Sequence, residues 1–209
     1  MLRASKVLIP VLLVAVALGA VGLWHRLIFG KADLAFGSYI PWGLWVGLYI
    51  YLVGVSGGAF LVAFLHHGLG IASLRRPSRY AILIALTSLG AGLTLVLLDL
   101  GHMERSWYLF TRTTPTSLLA WMVWVYTLYS LVLVAMLVAM ARERQAALKW
   151  LSIAGFALVV TFGGGEGALF GVLSKPFWNS GLLPIRFLFS AFLSGMGLVA
   201  FASVLFRRW

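Results

Sequence analysis

Residues 97–126 read LLDLGHMERSWYLFTRTTPTSLLAWMVWVY, and the contrast inside this stretch decides the fold. A polar segment from Asp99 to Ser117 separates two apolar runs. Each run is long enough to cross a bilayer, which takes about 20 mostly apolar residues in a helix. Asp99 falls where the preceding run is still apolar. An ionisable group at such depth is costly and by default marks a function. Outward from here, long apolar runs recur over residues 7–29, 42–69, 80–100, 117–140, 150–172 and 182–206, joined by short polar connectors. Transmembrane strands would show segments of about 10 alternating residues instead, and none occur. The expectation is an all-α integral membrane protein: a bundle of six transmembrane helices forming one domain over residues 1–209.

Composition agrees. The chain is 62% hydrophobic and only 10% charged, which belongs to the membrane class. A net charge of +11 raises the question of nucleic acid, but its distribution answers a different one. Ten basic residues (Arg3, Lys6, Arg75, Arg76, Arg79, Arg142, Arg144, Lys149, Arg207, Arg208) fall on one side of the expected bundle. Six (Arg26, Lys31, Arg105, Arg112, Lys175, Arg186) fall on the other. By the positive-inside rule the richer side is cytoplasmic, which puts both termini in the cytoplasm and loops 30–41, 101–116 and 173–181 outside. The basic residues orient the chain, and no nucleic acid partner is expected.

The chain has no cysteine, so it forms no disulfide and ligates no iron–sulfur cluster through cysteine. Arg3 and Lys6 precede an apolar run with a weak small-x-small pattern at Ala17-Leu18-Gly19. The run continues to Phe29, so an uncleaved first helix is expected rather than a signal peptide. Gly37-Ser38 with Pro41, Pro115-Thr116-Ser117 and Asn179-Ser180 with Pro184 are helix-start signals, Ser117 as a hydroxyl N-cap. Trp24, Trp42, Trp45, Trp107, Trp121, Trp150, Trp178 and Trp209 sit near expected helix ends, as an aromatic belt does. Small residues gather at Gly54, Ser56, Gly57 and Gly58 and at Gly163, Gly164, Gly165, Gly167 and Gly171. Such patches let helices approach closely, and the triple glycine could also loosen its helix near a ligand.

Depth brings several polar residues together. Asp99 and His102 close the third apolar run at the outer side. Tyr49 lies about 10 Å into the second and Glu166 about 9 Å into the fifth from that side, at roughly 1.5 Å per residue. Four of the five acids (Asp33, Asp99, Glu104, Glu166) lie toward the outside, leaving Glu143 opposite. Plainer readings exist: Asp99 pairing with Arg105 or capping a helix, His102 as an interfacial imidazole, Tyr49 as a packed aromatic. Glu166 resists one, because a carboxyl in hydrocarbon is neutral, paired or wet. His66 and His67, at the other end of the second run, read as interfacial. A quinone head group suits such a site. Its two carbonyls need hydrogen bonds and, on reduction, protons, and its tail needs an apolar path. A bis-histidine haem would require two imidazoles at one depth, and only His25 with His102 offers that. No metal ligand set is expected.

The motifs then resemble a known family. Pro41-Trp42-Gly43-Leu44-Trp45-Val46 leading to Gly54-Val55-Ser56-Gly57-Gly58 is similar to the first motif of the NrfD-like, polysulfide-reductase-type membrane subunits. Asp99-Leu100-Gly101-His102-Met103-Glu104-Arg105-Ser106-Trp107 resembles that family's Asp-Leu-Gly-Arg-x-Glu-Arg-Phe motif. Pro115-Thr116-Ser117 with Trp121, then Gly167-Ala168-Leu169-Phe170-Gly171 with Pro176-Phe177-Trp178-Asn179, continue the order over residues 38–190. The resemblance implies a quinone-binding subunit of a respiratory complex in the prokaryotic inner membrane, without a redox metal of its own. It would exchange electrons between menaquinone or ubiquinone and an iron–sulfur partner subunit, alone or with a molybdopterin or multihaem catalytic subunit. The quinone would lie near the non-cytoplasmic surface. The chain departs from the pattern in three places: Gly165-Glu166-Gly167 replaces a frequent Tyr-Thr-Gly, His102 stands where Arg is frequent, and Tyr49 where a relative carries histidine. Many relatives have about eight spans, so a second bundle is expected to be absent or reduced. The expected head-group and proton-exchange residues are Tyr49, Asp99, His102 and Glu166, with Trp121 for ring contact; Glu104, Arg105 and Arg112 would hold the outer loop against a partner. The rival readings are a passive anchor and a small proton channel or transporter.

Overall fold

A computed structural model of the chain describes residues 2–30, 43–112, 114, 116–171 and 179–205. Their order is α1 (Leu2–Phe29), α2 (Leu44–His67), α3 (Arg75–Asp99), a one-turn α4 (Tyr108–Thr111), α5 (Leu118–Ala141), α6 (Gln145–Gly171) and α7 (Leu183–Leu205), with 3-10 turns at Ala72–Leu74 and Met103–Arg105. Among the described residues there is no strand. Five helices, α2, α3, α5, α6 and α7, are long and apolar enough to cross a membrane, and α1 supplies a shorter apolar section, Leu13–Phe29. Five of the six expected spans are thus helices long and apolar enough to cross a membrane, and the first expected span falls on α1. Trp42, Asp33, Lys31, Pro41, Pro115, Lys175, the Pro176-Phe177-Trp178 segment and the last four residues lie outside the described residues.

Helix boundaries extend beyond the apolar runs at the basic end. α3 begins at Arg75 rather than near 80. Pro77 falls in the first turn, where a missing N–H costs no helix bond, and the Ser78 hydroxyl donates to the Arg75 carbonyl at 2.9 Å. α6 starts at Gln145, not near 150. Hydropathy marks the lipid-embedded part of a helix, and a basic first turn continues outside it. Ser117 caps α5 as expected, its hydroxyl accepting from the Ala120 N–H at 3.4 Å.

α2 is the centre of the bundle and packs against α3, α6 and α7, while α5 packs on α6. Val53, Ala59, Phe60 and Ala63 of α2 are fully buried. The α2–α7 crossing depends on glycine. A Cβ at Gly58 would stand 2.1 Å from the Ala191 carbonyl oxygen, and one at Gly195 would stand 2.3 Å from the Ala59 nitrogen. The second glycine patch also serves close approach: a Cβ at Gly167 would meet Pro184 backbone at 2.4 Å, and one at Gly165 would meet the Met122 sulfur at 2.9 Å. Helical structure runs unbroken through Gly163–Gly165 to Gly171; packing accounts for Gly163, Gly165 and Gly167, whereas a Cβ at Gly164 would meet nothing within 4 Å. Trp24, Trp107, Trp121 and Trp150 are each more than half exposed on the protein surface, as belt residues facing lipid would be.

α1 stands apart from the bundle, with Leu13, Val16, Leu18 and Val21 all at least 65% exposed. Arg26 tethers it. This side chain is 6% exposed, and it donates from Nε to the Leu98 carbonyl at 2.9 Å and from Nη2 to the Leu100 carbonyl at 2.7 Å. Its guanidinium lies 5.9 Å from the Trp45 ring centroid. The last carbonyls of a helix lack intrahelical partners, and a cation there also suits the helix dipole. Arg26, read from sequence as an orienting charge, thus closes α3. Arg26→Met is expected to raise hydrogen exchange across residues 97–105 at least tenfold while leaving exchange in α2 and α6 unchanged.

Candidate functional site

Three polar side chains meet where α2, α5 and α6 face one another. Glu166, near the C-terminal end of α6, is 3% exposed. The Tyr126 hydroxyl of α5 donates to its Oε1 in a short hydrogen bond. The Tyr49 hydroxyl of α2 lies 2.9 Å from that of Tyr126, and the two rings stand edge to face. With Tyr126 donating to the carboxylate, Tyr49 donates to Tyr126; with the carboxyl protonated and donating to Tyr126, Tyr126 donates to Tyr49. A carboxyl inside an apolar bundle requires partners of this kind.

The positions follow from the packing. α2 and α5 enter from the same end at which α6 finishes. Tyr49 is five residues from the start of α2, Glu166 five from the end of α6, and Tyr126 eight from the start of α5. At roughly 1.5 Å per residue these depths agree within a helical turn. Phe162, one turn before Glu166, packs against both Tyr126 and Tyr129. Tyr129 has a different task. Its hydroxyl donates to the Ser56 carbonyl at 3.3 Å, while the Ser56 hydroxyl donates to the Ala85 carbonyl at 2.7 Å. With the 3.3 Å contact between the Ser56 and Tyr129 hydroxyls, these bonds tie α5 to α2 and α2 to α3.

Beside this triad lies a cavity of about 130 Å³ between α2, α6 and α7. Gly54, Gly57 and Gly163 give it room, Phe162 and Leu188 form apolar walls, and Glu166 is among its lining residues. Ser190 and Ser194 of α7 also face it. Tyr51 at its rim is 57% exposed, so the cavity reaches the surface that lipid would cover. Glu166 therefore stands in the wall between an apolar cavity and a chain of two tyrosine hydroxyls.

Of the residues expected from sequence, the structure brings Tyr49 and Glu166 together. Asp99 sits at the end of α3, partly buried, between the two residues whose carbonyls Arg26 holds. His102 is exposed, with Nδ1 2.9 Å from Glu104 Oε1. The exposed Glu104 carboxyl is held below the usual carboxylate range, by its own backbone N–H first and then by His102. Trp121 is 58% exposed on the outside of α5. Arg105 lies 3.8 Å from Glu104, and Arg112 stacks 4.6 Å from the Tyr108 ring centroid. Among the described residues no group of three or more His, Cys, Asp or Glu could hold a metal ion.

Tyr126 is the residue that sequence reasoning missed. Its signal was spacing: Met122, Tyr126, Tyr129, Leu133 and Met136 recur at four- and three-residue intervals, and all five are buried. A tyrosine on the inward stripe of an apolar helix must find a partner for its hydroxyl. Tyr126→Phe removes the hydroxyl that donates directly to the Glu166 carboxyl. It is expected to cost about 1 kcal/mol of stability, in line with polar contacts between membrane helices, read as a lower thermal unfolding midpoint in detergent.

The architecture and this cavity define a multi-pass integral membrane protein with one buried carboxyl site. Residues 34–209 match the family "Polysulphide reductase, NrfD", and the chain belongs to that family. It is 34% identical to a subunit of a selenate reductase from Mesobacillus selenatarsenatis, over 94% of this chain and 56% of the relative. It is 25% identical to an Hdr-like menaquinol oxidoreductase integral membrane subunit from Archaeoglobus fulgidus, over 90% of this chain and 48% of the relative. It is likewise 25% identical to the integral membrane subunit of a menaquinone reductase from Nitratidesulfovibrio vulgaris, over 52% of this chain and 26% of the relative. The chain spans about half the length of the first two.

Proposed function

We propose that this chain is the quinone-binding integral membrane subunit of a respiratory oxidoreductase complex, and that Glu166, Tyr126 and Tyr49 serve the head group. The observation that carries this reading is the buried Glu166, which lines an apolar cavity and whose carboxyl accepts from Tyr126. The residues present fit a quinone: apolar walls, one acidic residue, two serines and an opening toward lipid. A bound quinone supplies two-electron, two-proton redox chemistry. The chain's own residues orient the ring and hold or pass a proton at Glu166 Oε1, with Tyr126 and Tyr49 as the next oxygens along. Two of the relatives carry menaquinone or menaquinol in their names, which favours menaquinone over ubiquinone.

The proposed partners are an iron–sulfur subunit and, beyond it, a molybdopterin or multihaem catalytic subunit. In this reading the chain lies in a prokaryotic inner membrane. The end bearing Glu166 faces outward, as the ten-to-six distribution of basic residues over the two sides favours. Asp99 and His102 organise the connector after α3, and Trp121 contacts lipid. The test is titration of a fluorescent quinol-analogue inhibitor into detergent-purified protein. Wild type is expected to show saturable quenching, Glu166→Leu to weaken it at least tenfold, and Asp99→Asn to leave it within twofold. An absence of saturable binding, with the partner subunits present as well as absent, would make the chain a passive anchor.

A further inference from the structure

At the opposite end of the bundle from Glu166, the ends of α2, α3, α5 and α6 enclose a second cavity, of about 340 Å³. Its wall carries His66, His67, Arg75, Arg79 and Glu143, and its floor is Met140 and Leu148. The His67 Nε2 atom is buried and has no hydrogen-bond partner. The neighbouring His66 ring, 4.6 Å away, is already committed through Nδ1 to the Ile71 carbonyl at 2.9 Å. Among the described residues neither Arg75 nor Arg79 has a carboxylate within ion-pairing distance. Glu143 is the only acid on the wall. It is held at φ 54° in the turn between α5 and α6, and the two guanidinium groups outweigh it. Arg76, Arg142, Arg144 and Lys149 lie close by in sequence and make this end of the molecule basic.

Two guanidinium groups without a carboxylate partner among the described residues, beside a buried imidazole nitrogen, call for an oxyanion. The floor adds a second requirement. Leu148 is 1% exposed and Met140 partly buried, so the cavity sits where apolar helix meets polar ends. A free phosphate would meet the arginines and leave the apolar floor uncovered. A phosphate attached to glycerol and acyl chains meets both.

We propose that this cavity binds the phosphate of an anionic phospholipid, with Arg75 and Arg79 on the phosphate oxygens and His67 Nε2 as a buried hydrogen-bond partner. Basic pockets between helices at the cytoplasmic side bind such head groups in general. The inference is independent of the quinone reading, since it concerns the other end of the bundle.

The experiment is native mass spectrometry of the full chain in detergent at about 0.3 M ammonium acetate, which screens diffuse surface attraction. Dioleoyl phosphatidylglycerol and dioleoyl phosphatidylcholine are titrated in parallel. Wild type is expected to prefer phosphatidylglycerol at least tenfold. Each arginine contributes roughly fivefold at the membrane surface, so Arg75→Gln with Arg79→Gln is expected to lower affinity about 25-fold. His67→Phe should lower it several-fold, while Arg142→Gln with Arg144→Gln, which do not line the cavity, should leave it within about threefold. Equal losses in the two arginine pairs, or no preference between the lipids, would overturn the proposal. So would thermal stabilisation by inorganic phosphate that needs Arg75 and Arg79 while phosphatidylglycerol fails to bind, since that assigns the cavity to free phosphate. Because Arg75 and Arg79 are exposed, their replacement is expected to leave the unfolding midpoint unchanged, and a folding defect in His67→Phe alone would not remove the test.

Discussion

Glu166→Gln is expected to lower quinol-linked turnover of the assembled complex about 100-fold while leaving inhibitor affinity within roughly fivefold. The amide keeps the shape of the side chain, and its oxygen can still accept from Tyr126, so the packing of α5 on α6 is retained. What it cannot do is hold or release a proton. General acid–base groups contribute about 10²–10⁴ in rate, and the lower end of that range suits a site with hydroxyls nearby. Glu166→Leu removes the acceptor as well. It leaves the Tyr126 hydroxyl with Tyr49 as its partner and no carboxyl at the cavity, so it should weaken binding along with turnover. Turnover is followed by oxidation of a short-chain menaquinol analogue. If Glu166→Gln kept wild-type turnover, the carboxyl would be structural and the proton would move by another route.

Gly195→Ala is expected to destabilise the bundle by about 3 kcal/mol, at the upper end of the range for overpacking, and to abolish inhibitor binding. Gly197→Ala, two residues on, should be neutral or slightly stabilising. The contrast isolates the mechanism. In a helix, alanine is favoured over glycine by roughly 0.5–1 kcal/mol, and a Cβ at Gly197 meets nothing within 4 Å. A Cβ at Gly195 would stand 2.3 Å from the Ala59 nitrogen and 2.4 Å from the Gly58 backbone. Backbone cannot rotate out of the way, so α2 and α7 must separate. Ala191 and Gly54, from the same two helices, line the 130 Å³ cavity, and separation would open it. The check is a pair of thermal melts in detergent with inhibitor quenching on the same samples. Equal behaviour of the two substitutions would show that the crossing is looser than its geometry implies.

The long helices were legible because a bilayer requires length and apolarity, and 42–69, 117–140 and 182–206 differ from α2, α5 and α7 by one or two residues at most at each end. The basic first turns of α3 and α6 were not, because hydropathy stops where charge begins although the helix does not. Depth arithmetic placed Tyr49 and Glu166 at one level, and there they meet. The same arithmetic grouped Asp99 and His102 with them and could not separate them. Distance along a helix fixes height and leaves open which way a side chain faces. Asp99 is the last residue of α3, at the terminus that Arg26 closes, and His102 lies beyond the helix on an exposed turn. Glycine supplied the missing directional information for Glu166. Gly163 lies about one turn before Glu166 and Gly167 directly after it, and both press against α7, which turns this side of α6 toward the cavity. Tyr126 was hidden among Trp121, Trp124 and Tyr129, since aromatic residues near a helix entrance read as belt until the four- and three-residue spacing is counted.

The most direct test of the central claim is an experimental density map of the purified complex with a short-chain menaquinone analogue bound. The head group is expected between α2, α6 and α7, with one ring oxygen within hydrogen-bonding distance of Glu166. Density for the head group beside Asp99 and His102, with the cavity at Glu166 holding only lipid tail or nothing, would contradict it.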